Sequence, residues 1–310
     1  MVWLGIGLLV IALILITSYI CFRLAFRVPR RCPRTAWQEP VEPPKGAAYE
    51  PYQATIRQWM DESRQLPYEE LSIRSFDGLN LYARYYAYAP GAPIELMFHG
   101  YRGRAERDLS GGIRRCFALG HSAVLVDQRG AGRSEGNVIT FGICERWDCL
   151  RWVDRLIDRF GEDARILLTG ISMGAATVLL AAGEPLPKQV IGVLADCGYT
   201  DAGEMIRKTT RELGLPPRLM YPFIKLGARL FGHFNVDETS PLQAVAQCKV
   251  PVLFIHGETD AFVPCEMSRR NYEACAARKE LFTVPDADHG LAYIIRPQEY
   301  EEVMRQFFEE

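Results

Sequence analysis

The hydrophobic pattern begins with its longest feature: no charged side chain interrupts the chain from Val2 to Phe22. At about 1.5 Å of rise per residue, a helix over this run covers a hydrocarbon core of roughly 30 Å. Trp3 and Tyr19 stand near its two ends, where aromatic rings favour a membrane interface. A cleaved signal peptide is the competing reading, but it wants a positive n-region, a shorter apolar centre and a small-residue cleavage site. The pattern therefore predicts an uncleaved transmembrane anchor over 1–23. Pro29, Pro33, Pro40, Pro43 and Pro44 then predict a semi-extended, unpacked tether, and Ile56, Trp59 and Met60 a short helix over 52–65 lying on the body. Together these make a linker unit over 24–66.

From residue 67 to 310 the periodicity alternates between strand and helix. Leu71–Phe76 and Leu79–Tyr88 flank Asp77-Gly78 and predict an antiparallel hairpin. Ile94–Phe98, Ala123–Val126, Arg165–Thr169, Val190–Ala195, Pro251–Ile255 and Leu281–Val284 are short apolar runs, of the kind buried on both faces of a parallel sheet. Between them lie helical stretches, among them Phe141–Phe160 with Cys144, Trp147, Leu150, Val153 and Ile157 at helical spacing, and Met173–Ala182. The alternation predicts an α/β fold with a mostly parallel central sheet flanked by helices. It breaks at about 200–248, where an apolar helix around Leu219–Phe231 fits a small helical cap. That stripe has three open roles: covering an acyl pocket, packing as core, or dipping into a bilayer.

Charge and composition mainly exclude. A formal net charge of −2 and the lack of a basic motif leave no footprint for nucleic acid. The nine cysteines are odd in number and lack paired spacing, which fits a reducing compartment. No His-Glu-x-x-His or Cys-x-x-Cys pattern suggests a metal, and Gly130-Ala131-Gly132-Arg133-Ser134-Glu135 fails the dinucleotide fingerprint because Glu135 stands where its third glycine belongs. No cofactor is expected. Arg23, Arg27, Arg30, Arg31 and Arg34 all flank the C-terminal side of the anchor, which predicts a single-pass protein with its body in the cytoplasm.

The candidate chemistry lies where strands end. Gly170-Ile171-Ser172-Met173-Gly174 follows a predicted strand and opens a helix, the setting of a nucleophile elbow that projects a serine hydroxyl above a sheet. Acyl transfer at neutral pH needs an activated nucleophile, a base and an acid that orients the base. Ser172, Asp260 and His289 follow three successive predicted strands in that order, and carboxyl ends of parallel strands open on one edge. Asp196, Asp286 and Asp288 remain rival acids. His99 and His256 read as buried, hydrogen-bonded structural histidines; Asp127 and Arg129 read as locking their own loop.

From about Leu71 to the end, the chain resembles the α/β-hydrolase superfamily, close to membrane-anchored bacterial serine hydrolases of the esterase and acyl-peptidase-like branch. The resemblance rests on His99-Gly100-Tyr101, Asp127-Gln128-Arg129-Gly130-Ala131-Gly132-Arg133-Ser134, the Gly170–Gly174 elbow, His256-Gly257-Glu258-Thr259-Asp260 and Asp288-His289-Gly290. It implies an α/β-hydrolase fold and an oxyanion hole formed by the backbone N–H groups of Tyr101 and Met173. Hydrolysis of a small carboxylic ester is the expected activity. An amide or peptide bond and a lipid ester are the alternative substrates, and a catalytically silent, membrane-tethered binding module is the alternative of another class.

Overall fold

The computed structural model describes residues 2–28 and 37–309; the expectations for Pro29, Arg30, Arg31, Pro33 and Arg34 lie outside them. Helix α1 (Val2–Ala25) runs beyond the uncharged stretch, and a 3-10 turn (Glu50–Tyr52) leads into α2 (Gln53–Gln65). There follow β1 (Glu69–Arg74), β2 (Asn80–Tyr86), β3 (Ile94–Phe98), α3 (Ala105–Ala118), β4 (Ser122–Asp127), α4 (Glu145–Phe160), β5 (Ile166–Ile171), α5 (Met173–Ala182) and β6 (Val190–Asp196). Helices α6 (Ala202–Glu212), α7 (Pro217–Phe231) and α8 (Pro241–Val245) precede β7 (Val252–Gly257). The chain closes with α9 (Cys265–Ala274), β8 (Lys279–Val284), α10 (Ala292–Ile295) and α11 (Pro297–Glu309).

The eight strands form one sheet in the order β1-β2-β4-β3-β5-β6-β7-β8. Only the β1–β2 and β2–β4 pairs are antiparallel, so β3 to β8 all point one way and their carboxyl ends share an edge. The fold is that of an α/β hydrolase. Alternation within strands serves two layers of helices: Leu96, Phe98 and Leu168 face Trp152 and Val178 of α4 and α5, while Met97 packs with Leu109 and Ile113 of α3, and Leu167, Leu194 and Ile255 with Tyr300 and Met304 of α11. Glu95, inside the otherwise apolar β3, is fully buried and is tolerated because Arg115 and His121 bond its carboxylate at 2.5 and 3.0 Å.

Two expectations need correction. The helix predicted from Phe141 starts at Glu145: the Glu145 carboxylate accepts the Thr140 and Gly142 amides and the Thr140 hydroxyl, holding 140–144 as a turn with Phe141 at φ 56°. The unpacked tether is packed from Trp37 on. Trp37 donates to Asp127 at 2.6 Å, Pro43 is buried, and α2 sets Trp59 against α3, where Gly111 gives it room; a Cβ there would lie 2.6 Å from the indole. Of the three roles left open for the stripe of α7, the structure shows packing: it lies on α1, in a fourth apolar cluster above the carboxyl edge that joins Phe22 and Phe26 to Ile143, Met173, Met205, Ile224, Ala228 and Phe234.

Candidate active site

Strand β5 delivers its chain to Ser172 at a turn no ordinary residue favours: Ser172 has φ 57° and ψ −116°, a conformation stored only where the surroundings over-determine it. Close backbone approach on both sides requires the flanking glycines. A Cβ on Gly170 would lie 2.1 Å from the Gly174 carbonyl oxygen, and one on Gly174 would lie 2.0 Å from that of Phe98. The hydroxyl therefore sits at the N-terminus of α5, on the edge shared by the other strand ends.

His289, in the loop after β8, meets it there. Its Nε2 lies 2.9 Å from Ser172 Oγ and its Nδ1 2.7 Å from Asp260 Oδ2. A carboxylate only accepts, so Nδ1–H donates to Asp260, which leaves Nε2 free to accept the serine proton. Asp260 is fixed in turn: its Oδ1 accepts the amides of Phe262 and Val263 at 2.9 and 2.7 Å. Burial pushes the Asp260 carboxyl up, but hydrogen bonds from His256 and His289, the His289 charge and the Val263 amide outweigh burial and hold it at about 2. The carboxylate thus stays ionised beside the imidazole throughout the neutral range.

The rival acids stand elsewhere. Asp288 Oδ1 accepts the amides of His289 and Ala261, tying two loops together at 2.7 and 3.2 Å. Asp196, at the end of β6, accepts from Tyr300 at 3.0 Å. Asp286 takes a positive φ in the turn after β8 and has no bond to His289. Arg129 is bound to Asp148 and Asp77, and Asp127 to Trp37 and the Arg133 amide, so both hold their own surroundings. His99 is buried and meets the Gln128 amide.

The loop from His99 to Arg102 passes against Ser172: a Cβ on Gly100 would lie 3.5 Å from that of the serine. Among the described residues neither the Tyr101 nor the Met173 amide donates to an acceptor. Asp108 steadies this loop by accepting the Gly100 amide at 3.2 Å. Beside Ser172 opens a cavity of about 640 Å³, walled by Tyr49, Trp59, Leu109, Phe262, Tyr293 and Tyr300. No residue of 200–248 lines it; part of the wall comes from 44–49, where the Tyr49 hydroxyl donates to the His289 carbonyl at 2.9 Å.

His256 is the buried, hydrogen-bonded histidine expected from the sequence, but its contact with Asp260, and the parts played by Asp108 and Tyr49, were missed. His256, fully buried, places Nε2 2.8 Å from the Val263 carbonyl and 3.2 Å from Asp260 Oδ2, with Nδ1 2.7 Å from Ser268. Its spacing from Asp260 in His256-Gly257-Glu258-Thr259-Asp260 was the available signal. Asp108 and Tyr49 carried none. The Tyr101 side chain turns away from the site, where its hydroxyl donates to the Ala25 carbonyl at 2.6 Å, while Arg102 donates to the Leu24 carbonyl at 2.7 Å. The Cys197 sulfur lies with ligand atoms of Asp260 and His289 inside 4.8 Å. Burial, then Asp196 and Asp260, raise this thiol well above its usual range, so it adjoins the pair as a neutral group.

A family model described as the alpha/beta hydrolase family matches residues 96–303. The uncharacterized protein YqkD of Bacillus subtilis is 29% identical over 192 residues, 62% of this chain and 63% of its own length. This chain thus spans less than two thirds of that relative. An esterase of Pyrococcus furiosus superposes with a TM-score of 0.66 at 23% identity, covering 87% of this chain and 98% of that one. An acylaminoacyl peptidase of Pyrococcus horikoshii gives 0.55 at 18% identity, over 80% of this chain and 42% of that one. At such identities the two structures speak for the fold alone.

Proposed function

Because the chain belongs to the α/β-hydrolase family, we propose that it is a serine hydrolase that cleaves a carboxylic ester of modest size through an acyl-enzyme. The reading rests on one observation, the unbroken line from Ser172 Oγ through both ring nitrogens of His289 to Asp260. Ser172 attacks the ester carbonyl as Nε2 takes its proton; Asp260 holds the ring and offsets the imidazolium charge. The amides of Tyr101 and Met173 receive the oxyanion of the tetrahedral intermediate. His289 returns the proton to the departing alcohol, then activates a water that releases the acid and restores Ser172. These steps use side chains, backbone and water alone.

The two structural neighbours are named an esterase and an acylaminoacyl peptidase, so an ester is the first substrate to test and an amide the second. A fluorophosphonate probe tests the mechanism: wild type is expected to label and Ser172→Ala to stay unlabelled. Equal labelling of the two removes Ser172 from the chemistry, and an intact, unlabelled wild type points to a silent binding module.

Helix α1 reads here as a lasting membrane anchor, because a peptidase that removed it would also strip Ser18, Cys21 and Phe22 from buried contacts with the body. The positive flank of Arg23 and Arg27 then puts the body on the cytoplasmic side. Protease digestion of the body in right-side-out vesicles would overturn that orientation. An anchored site also suits an ester drawn from the membrane itself.

A further inference from the structure

The body covers the last third of α1. Ser18, Cys21 and Phe22 are buried against it, and a Cβ on Gly227 of α7 would lie 2.3 Å from the Ser18 carbonyl oxygen. Tyr19 and Phe22 stack on Phe231, with ring centroids 5.1 and 6.0 Å apart. The apolar run stands clear of the body up to Thr17, and Arg23 is the first charged side chain after it. A spanning α1 therefore leaves the hydrocarbon within the part that lies alongside α7, and α7 lies at that boundary with it.

The surface of α7 fits that position. At 3.6 residues per turn its positions fall into three sectors. Ile224, Gly227, Ala228 and Phe231 face α1 and the body. Leu219, Leu226 and Leu230 share a line roughly 100° away from them; Leu219 is 60% and Leu230 42% exposed. A further 100° or so round the helix stand Arg218, Lys225 and Arg229. The exposed leucines therefore continue the apolar surface of α1, and the cations border them. Leu213, at the end of α6, is 71% exposed as well. In a chain of net charge −2, residues 207–229 hold six basic side chains and one acidic. Lys225 pairs with Asp237, but Arg211, Arg218 and Arg229 are exposed and in no ion pair among the described residues.

We propose that the α7 face carrying Leu219, Leu226 and Leu230 docks on an anionic lipid bilayer, with its leucines at the acyl-chain boundary and Arg218 and Arg229 among the headgroup phosphates. Apolar burial next to a basic row is the arrangement by which an amphipathic helix lies in a membrane interface. The proposal rests on α1 spanning the bilayer.

The full chain is reconstituted in vesicles of brominated phosphatidylcholine, with and without phosphatidylglycerol, and tryptophan quenching is read above the background of the five native tryptophans. Leu219→Trp and Leu230→Trp are the probes. Leu8→Trp reports on the span, and Tyr88→Trp on the opposite, amino edge of the sheet. Extra quenching is expected at Leu8, Leu219 and Leu230 and none at Tyr88. Quenching at Leu8 alone overturns the docking and leaves the span intact; no quenching at Leu8 removes the span and the proposal with it. Phosphatidylglycerol should deepen quenching at Leu219, and Arg218→Glu with Arg229→Glu should abolish the increment. Indifference to phosphatidylglycerol overturns the anionic lipid as partner, and a cross-linked dimer without quenching assigns the face to a second copy of the chain.

Discussion

Residues 37–65 and the helices between β6 and β7 both reach the loops that carry Asp260 and His289. Tyr49 donates to the His289 carbonyl, and Lys208 donates to the Ala261 carbonyl at 3.0 Å. Yet only the first stretch lines the cavity beside Ser172. The difference follows from what each stretch needs to bury. Helix α7 carries a wide apolar face that is costly to leave in water, and it finds α1, which offers an apolar face of its own. Residues 44–49 carry little apolar surface and are placed by single bonds, such as Gln53 to the Pro44 carbonyl at 2.5 Å. A strongly amphipathic attachment goes to its apolar partner, and one built largely of small side chains is free to border a site.

Gly227→Leu should disturb this contrast most. Its side chain has no room against Ser18, and overpacking of this kind costs about 3 kcal/mol. The loss is expected in thermal unfolding of the full chain in detergent micelles, while the folded fraction turns over a small p-nitrophenyl ester normally; a collapse of kcat/KM in that fraction would mean that α7 serves the site after all. Tyr49→Ala comes next, removing part of the cavity wall and the donor to the His289 carbonyl. A tenfold fall in kcat/KM, about 1.4 kcal/mol, is expected with little change in melting, and an unchanged rate would make the wall passive. Tyr101→Phe has the smallest effect: loss of the bond to Ala25 should lower the urea-unfolding free energy by about 1 kcal/mol. No measurable loss would leave Arg102 as the only clamp that matters.

Much of the fold was legible because strand runs such as Ile94–Phe98 are uniformly apolar and end at motifs whose glycines answer a steric demand. For the same reason Ser172, Asp260 and His289 could be picked out, and the structure brings their side chains within hydrogen-bond reach. Partner choice was not legible. The periodicity of Leu219–Phe231 reports a face but not what covers it, and here the cover lies some 200 residues earlier in the chain. Tyr49 acts through one hydroxyl in an irregular loop, where no repeat marks it. The Glu145 bonds that delay α4 likewise leave the helical spacing of Phe141 and Cys144 undisturbed.

The bonds from Tyr101 and Arg102 to the end of α1 also set an order of events. During synthesis α1 is made first, and its last carbonyls stay open until residues 76 positions downstream have been made to meet them. Closing so long a loop costs about 4 kcal/mol of chain entropy, and contacts of such separation form late. The loop that would receive the oxyanion is therefore braced only after the body has seated on its own first helix. The geometry of that loop is thereby tied to the seating of α1, a contact remote from every side chain that meets His289.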